Sequence, residues 1–139
     1  MIILDTNIVS EPRQPRPSEA VVTWLAHQHV HNLFTTTVTE AEILYGVALL
    51  DSGKRRDGLA DAARKIFEVD FLGRVLSFDS AAAREFGVIA GLRKKAGLAI
   101  KVFDTQIAAI ARAHRAAVAT RDTADFQHCG IEIINPWAG

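Results

Sequence analysis

The sequence predicts an α/β fold in which a parallel sheet of about five strands carries helices on both faces. Hydrophobic residues make up 49% of the 139 residues, which is enough to bury a core. Short apolar runs alternate with longer amphipathic segments, a pattern typical of consecutive β–α–β units. No repeat, low-complexity tract or interdomain linker interrupts this order, so we expect one domain over residues 1–139.

Cap residues and apolar spacing place the individual elements. Ser18 precedes a helix whose first turn holds Glu19, and Asp79 precedes another, because both side chains can accept a backbone N–H. Ile43, Val47 and other apolar residues recur at helical spacing. The predicted strands cover residues 1–4, 33–36, 75–78, 118–120 and 131–134. The predicted helices cover residues 18 to about 27–31, 39–50, 53–70, 79 to about 97, and 103–115.

Composition excludes several classes of protein. No apolar run approaches the ~20 residues that a membrane-spanning helix needs, so we expect no membrane association. The N-terminus lacks the basic segment and cleavage site of a signal peptide. Cys129 is the one cysteine, which rules out an internal disulfide and fits a reducing cytoplasm. We therefore expect a cytoplasmic protein.

Charge is distributed unevenly although the net charge is zero. Residues 1–52 hold two basic and six acidic residues, whereas residues 93–121 hold seven basic residues and one acidic residue. The basic segment has two explanations that charge alone leaves open. It is either a solvated helix face or a rim that attracts phosphates. In the second case Arg112 and Arg121 are the candidate substrate contacts.

Four acidic residues stand at junctions between predicted elements and turns. Asp5 and Asp122 follow the ends of the first and fourth strands, while Glu42 and Asp104 fall in the first turns of predicted helices. In parallel α/β sheets the working crevice lies at the carboxyl ends of the strands. The four carboxylates are therefore expected to converge at one edge of the sheet.

Each acid also has an ordinary structural explanation. Glu42 can close a capping box on Thr39, Asp104 can stabilise a helix dipole, and Asp122 lies in a turn where aspartate is common. Asp5 is the hardest to explain in this way, because the rim of a buried strand has no routine use for a charge. Taken together the ordinary explanations weaken, since they require four separate coincidences at one edge.

Four clustered carboxylates predict a divalent cation. Like charges at short range must either take up protons or bind a cation. Oxygen ligands without cysteine or histidine select hard ions, so Mg²⁺ is expected, with Mn²⁺ as a substitute. No Gly-rich phosphate loop and no Asp-x-Asp motif follows the first strand, which argues against two other phosphate chemistries.

These residues together resemble the PIN domain, and within it the VapC/FitB-type toxins of bacterial toxin–antitoxin pairs. Any one of the motifs is weak, but several in the expected order along nearly the whole chain are specific. The matching pieces are Ile3-Leu4-Asp5-Thr6-Asn7, Glu42-Ile43-Leu44-Tyr45-Gly46, Asp104-Thr105-Gln106-Ile107-Ala108-Ala109, Thr120-Arg121-Asp122 with Asp125-Phe126, and the closing Ile134-Asn135-Pro136-Trp137.

The resemblance implies a single PIN-like α/β/α sandwich and a Mg²⁺-dependent endoribonuclease that uses metal-activated water. Asp122 and Asp125 compete for the place of the fourth acid, and the similarity to the FitB branch favours Asp122. The implied catalytic and metal-binding acids are Asp5, Glu42, Asp104 and Asp122. The implied supporting residues are Thr6, Asn7, Thr120 and Asp125.

The resemblance also implies partners. We expect a small antitoxin that inserts an arginine into the acidic site, a toxin homodimer, an RNA substrate, and promoter DNA bound through the antitoxin. The amphipathic helix predicted over residues 54–70 either contacts a partner or only packs on the sheet. Two other functions stay open, namely a binding module without cleavage and a phosphoesterase acting on DNA or nucleotides.

Overall fold

The computed structural model describes residues 1–138 and shows five parallel strands in one sheet, in the order β3-β2-β1-β4-β5. The first strand lies at the centre, where Ile3 pairs with Phe34 on one side and with Val118 on the other. This arrangement confirms the predicted α/β fold with a parallel sheet. The strands are β1 (Ile2–Leu4), β2 (Leu33–Thr36), β3 (Val75–Leu76), β4 (Ala117–Ala119) and β5 (Ile133–Ile134).

Six α-helices connect the strands and cover both faces of the sheet. Ser18 and Asp79 cap their helices as predicted, through hydrogen bonds to the N–H groups of Val21 and Ala82. No helix within residues 1–138 is long and apolar enough to cross a membrane. The helices are α1 (Thr6–Ser10), α2 (Glu19–Ala26), α3 (Thr37–Ala48), α4 (Lys54–Lys65), α5 (Ser80–Lys95) and α6 (Val102–His114).

Alternating side chains of the central strands enter two separate cores. Ile3 and Val118 point to the face covered by α5 and α6, where they join fully buried residues such as Ile107. Leu4 and Ala119 point to the opposite face, which α1, α2 and the chain after α4 cover. Successive strand residues face opposite sides of the sheet, so each central strand contributes side chains to both cores. Both cores therefore adjoin the carboxyl edge at which these strands end.

Several predicted elements differ in extent or position from the observed ones, and α3 for example lies two residues earlier than the helix predicted over residues 39–50. The helix predicted over residues 53–70 is α-helical only to Lys65 and continues as a π-helical turn over Ile66–Asp70. The N–H of Phe71 reaches the carbonyl of Ile66, which widens the turn and keeps Ile66 and Phe67 buried. The strands predicted over 75–78 and 131–134 are shorter, because only two residues of each pair with a neighbouring strand.

Candidate active site

Asp5 sits at the carboxyl edge of β1 and is 3% exposed. Its backbone N–H continues the sheet by donating to the carbonyl of Ala119, and its side chain caps α1. One carboxylate oxygen accepts from the N–H of Thr6 at 2.8 Å, and the other accepts from the Thr120 hydroxyl at 2.7 Å. A strand, a helix start and a neighbouring strand therefore fix the orientation of this carboxylate.

Thr6 links Asp5 to Glu42. The Thr6 hydroxyl donates to Glu42 Oε1 at 2.9 Å and lies 3.1 Å from the Thr39 hydroxyl. Thr36, not Thr39, caps α3 by accepting from the N–H of Thr39 at 3.1 Å. The capping-box explanation of Glu42 is therefore wrong. Glu42 also lies in the second turn of α3, and its carboxylate turns across to the end of β1.

Asn7 and Thr120 join Asp5 to Asp122. The Asn7 amide nitrogen lies 3.1 Å from Asp122 Oδ2 and 3.4 Å from Asp5 Oδ2. Thr120, which is fully buried, donates to Asp5 and accepts from the N–H of Asp122 at 3.0 Å. Asp122 begins the short 3-10 turn Thr123–Phe126 without capping it through its side chain. Its carboxylate is thus held by Asn7, next to Asp5.

Asp104 and Asp125 form the other side of the cluster. Asp104 lies in the first turn of α6, as predicted, and shares a hydrogen bond with Asp125. The second oxygen of Asp125 accepts from Lys101 Nζ at 3.0 Å. A cleft of about 320 Å³ next to these acids is lined by Glu42, Lys101, Val102, Phe103 and Asp104.

The electrostatics of the cluster show uncompensated negative charge. Burial raises the pKa of Asp5, with smaller contributions from Asp122 and Asp125. Burial, followed by the charge of Asp5, also raises the pKa of Glu42. For Asp104, burial, the charge of Asp5 and the bond to Asp125 together raise the pKa from 3.8 to about 7. A carboxylate of the site therefore takes up a proton near neutral pH, as expected of clustered carboxylates whose repulsion a cation would relieve.

The donor chemistry of the site fits a hard divalent cation. All candidate ligands are carboxylate oxygens, and the raised pKa values mean that a positive ion would relieve their mutual repulsion. Among residues 1–138 no three acidic, histidine or cysteine side chains form a ready-made cage around a single point. Binding would therefore require the carboxylates to rotate towards one another, which a cation favours and their own repulsion opposes.

The family model described as PIN domain matches residues 2–131. The chain belongs to the PIN-domain family. This confirms the resemblance inferred from the acidic motifs.

Three relatives of this PIN domain match it over nearly their whole length. StbB, a plasmid stability protein of Pseudomonas syringae pv. tomato, is 42% identical, with 99% of each chain covered. The toxin FitB of Neisseria gonorrhoeae is 39% identical, again with 99% of each covered. The VapC ribonuclease Y4jK of Sinorhizobium fredii is 39% identical, covering 99% of this chain and 98% of the relative.

A solved structure supports the same assignment. The structure of FitAB bound to an IR36 DNA fragment contains a chain that superimposes with a TM-score of 0.92 at 39% identity. The match covers 99% of this PIN domain and 96% of that chain.

The two predicted substrate arginines of the PIN domain lie in different places. Arg121 is exposed beside the acidic cluster, where its N–H donates to Asn7 and its guanidinium stacks over Trp137, 5.2 Å from the ring centre. Arg112 lies near the other end of α6, where it forms an ion pair with Glu85 at 2.7 Å. The structure brings Arg121 to the site and does not bring Arg112 there.

Sequence reasoning missed two side chains that shape the site. Thr39 is fully buried against the hydroxyl of Thr6, although the sequence suggested only a cap. Lys101 bonds to Asp125 at the mouth of the cleft and was counted only as part of a basic segment. In the sequence, Lys101 stands three residues before Asp104. This spacing was the one signal that could have indicated the contact between Lys101 and Asp125.

Proposed function

We propose that this chain is a divalent-metal-dependent endoribonuclease that acts in the cytoplasm as the toxin of a toxin–antitoxin pair. The observation that carries the proposal is the linked set of acids at the carboxyl edge of the sheet. Hydrogen bonds orient Asp5 from two sides, and the pKa of three acids is raised by burial and mutual repulsion. The names of the relatives FitB and Y4jK support the toxin and ribonuclease parts of the proposal.

In the proposed mechanism Asp5 and Asp104 would be the main ligands of the most tightly bound cation, Mg²⁺ or Mn²⁺. Glu42 and Asp122 complete the ligand set, with Asp125 as the alternative fourth acid. When bound, the ion lowers the pKa of a water molecule and withdraws charge from the scissile phosphate. Thr6, Asn7 and Thr120 do not need to touch substrate.

The contribution of these supporting residues is to fix the carboxylates before the substrate arrives. Thr120 and the N–H of Thr6 hold both oxygens of Asp5, so this carboxylate is already oriented and the other acids would rotate towards it when a cation binds. Asn7 spans Asp5 and Asp122 and so sets the distance between them. Because water rather than the ribose 2′-hydroxyl is the proposed nucleophile, the products should contain no 2′,3′-cyclic phosphate.

Cationic side chains at the rim provide contacts for the flanking phosphates. Arg121 stacks on Trp137, which reduces its freedom and aims its guanidinium across a cleft that Arg16 also lines. Lys101 stands at the opposite rim, beside the exposed ring of Phe103. A single RNA strand can therefore cross the acidic cluster between two positive charges.

A second cleft provides the place for an antitoxin. It has a volume of about 440 Å³ and runs between α3 and α4, with Glu42 and Thr6 at one end. Its walls are mostly apolar and include Ile43, Leu59 and Ile66. A partner segment with apolar residues and one arginine fits this cleft, since the arginine would reach the acids at its end. This also gives residues 54–70 a role in partner contact.

A homodimer is the remaining part of the proposal. Tyr45 on α3 and Leu49 directly after it are 65% and 66% exposed, and Val102 and Phe103 at the start of α6 are 56% and 55% exposed. Both segments flank the acidic site, so a self-association face there would place two sites near one groove. Promoter DNA would be bound through the antitoxin, and the structure of FitAB bound to an IR36 DNA fragment supports a complex that contacts DNA.

The first test is cleavage of a labelled RNA pool by purified protein, with Mg²⁺, with Mn²⁺ and with neither. Asp5→Asn, prepared identically, serves as the control for contaminating nucleases. We expect the wild type to cleave only with metal and the variant to be at least about a hundredfold slower, because a bound metal contributes several kcal/mol. The far-UV spectrum and melting temperature of the variant should stay near those of the wild type.

Three other results would redirect the proposal. Equal cleavage by both proteins would indicate a contaminant or a different site. Cleavage of a DNA or nucleotide substrate in preference to RNA would favour the phosphoesterase. If neither protein cleaves, Mn²⁺ titration by calorimetry decides, since a binding module without a metal site should show no Asp5-dependent heat.

A further inference from the structure

Arg93 is a buried cation that the proposed chemistry leaves unused. It lies two residues before the end of α5 and is only 4% exposed. No carboxylate among residues 1–138 forms an ion pair with it. A buried charge without a counterion is unfavourable unless hydrogen bonds satisfy it, so the contacts of this guanidinium indicate why it is kept.

The guanidinium of Arg93 bonds to backbone carbonyls of two different segments. Nε donates to the carbonyl of Ala99 at 2.9 Å, while Nη1 donates to that of Gln127 at 2.7 Å and lies 3.4 Å from that of Ala124. Backbone carbonyls cannot move independently of the chain that carries them. Arg93 therefore connects residues 97–101 with residues 124–127 inside the protein.

The first of these segments leads directly into the helix that carries Asp104. It leaves α5 through Gly97, whose φ of 75° is the left-handed conformation that glycine favours. The carbonyl of Arg93 accepts from the N–H of Leu98, so main chain and side chain of one residue hold the same segment. Two residues after Ala99, Lys101 directly precedes α6, and Asp104 lies in the first turn of this helix.

The second segment carries the other acids of the cluster. Ala124 lies between Asp122 and Asp125, and Gln127 follows the same short turn. At the surface the pair Lys101–Asp125 also joins the two segments, but the lysine side chain is 61% exposed. Water and salt weaken an exposed pair of this kind, so the buried contacts of Arg93 are the firmer connection.

We propose that Arg93 is a positioning residue for the acidic site, which fixes the spacing between the segment carrying Asp104 and the segment carrying Asp122 and Asp125. The inference rests on the proposed metal-dependent function. It assigns to Arg93 no contact with substrate or metal. Its effect is to keep mutually repelling carboxylates close enough to share one cation.

Arg74 provides a matched control. Its guanidinium also bonds to three backbone carbonyls, those of Val30, Leu33 and Asp70. Those residues lie at the amino end of β2 and before β3, on the opposite edge of the sheet from the acids. Replacing either arginine with lysine keeps the charge and removes the three-way connection, so the two substitutions differ mainly in location.

The experiment measures Mn²⁺ binding by calorimetry and backbone amide hydrogen exchange in the full chain for wild type, Arg93→Lys and Arg74→Lys. We expect Arg93→Lys to weaken Mn²⁺ binding about tenfold or more, the effect typical of residues that position metal ligands. Exchange should accelerate in residues 97–104 and 122–127. Arg74→Lys should lower the melting temperature and accelerate exchange near residues 30–33 and 70–74, with unchanged Mn²⁺ affinity.

Three outcomes would overturn the inference. They are wild-type Mn²⁺ affinity in Arg93→Lys, an equal loss of affinity in both variants, or unchanged exchange in the two segments. If Arg93→Lys does not fold, Arg93→Gln replaces it, because the amide keeps a donor without a buried charge. If the wild type binds no Mn²⁺, the metal-dependent function fails, and the exchange data then decide on the connection by themselves.

Discussion

The two ends of α6 lie in different electrostatic environments. At its start, burial together with the charges of Asp5 and Asp125 raises the pKa of Asp104 to about 7. Near its end, Arg112 is matched by Glu85 at 2.7 Å and donates to the carbonyl of Cys129 at 3.2 Å. One helix thus has unbalanced charge at the carboxyl edge of the sheet and balanced charge at the amino edge.

This difference separates stabilising from functional polar groups. The pair at the amino edge joins α5, α6 and the chain before β5, and it leaves no charge available for a ligand. The acids at the carboxyl edge repel one another, and the hydrogen bonds of Thr6, Asn7 and Thr120 hold Glu42, Asp122 and Asp5 in place against this repulsion. A fold tolerates such repulsion where a ligand relieves it.

Among substitutions outside the four acids, the largest effect is expected from Thr120→Val, which keeps the shape of the side chain and removes the hydroxyl. Asp5 then loses its 2.7 Å bond, and the N–H of Asp122 loses its acceptor. We expect metal-dependent RNA cleavage to fall roughly tenfold to a hundredfold, and stability to fall by about 1–3 kcal/mol. Cleavage rates and urea denaturation measure the two effects.

Thr35→Val is the matched control for this substitution. Thr35 in β2 is fully buried like Thr120, but its hydroxyl has no hydrogen-bond partner among residues 1–138. Removing an unsatisfied hydroxyl should stabilise the protein by about 1 kcal/mol without changing cleavage. Equal losses of activity in both variants would show that any hydroxyl removal from the sheet impairs the enzyme, and would contradict a special role of Thr120.

The pH dependence of metal binding is the second prediction. Asp104 has a folded-state pKa of about 7 against an ordinary value of 3.8, so protons compete with the cation below pH 7. We expect Mn²⁺ affinity to rise with pH through 7, by up to about tenfold per unit. Calorimetric titrations at constant ionic strength across this range measure it, and an affinity independent of pH would contradict the assignment of Asp104 as a ligand.

The raised pKa of Asp104 also predicts how the stability of the metal-free protein changes with pH. The stability contributed by neutral Asp104 is fully present below pH 3.8 and is lost as the pH rises through about 7. The melting temperature of the wild type should therefore fall relative to that of Asp104→Asn over this interval. If the melting temperatures of the two proteins change with pH in the same way, ionisation of Asp104 does not destabilise the fold.

The smallest effect is expected from Glu85→Gln at the opposite edge. The pair with Arg112 is partly exposed, with side-chain accessibilities of 32% and 31%, so its loss should cost about 0.5–1 kcal/mol. Cleavage and Mn²⁺ affinity should not change, because neither residue contacts the acids. A loss of activity without unfolding would mean that the two ends of α6 are coupled, and would remove the contrast between them.

Much of the site could be predicted from the sequence. In a parallel sheet with alternating helices, the residue after each strand and the first turn of each following helix meet at one edge. That rule places Asp5 and Asp122 together without any distance information, and Asp104 joins them because α6, which leads to the amino end of β4, begins at the same edge. It fails for Arg112, because eight residues of helix carry a side chain about 12 Å along the axis, to the far edge.

The sequence by itself determined the order of the five strands and the five longer helices, the helix caps at Ser18 and Asp79, and the edge at which the acids gather, but it did not indicate the short helix α1. These follow from local preferences and from alternation along the chain. Only the tertiary structure decided which group orients which acid. Thr6 meets Glu42 across 36 residues, and Thr120 meets Asp5 across 115. Such contacts depend on the packing of whole elements against the sheet, which no local pattern encodes.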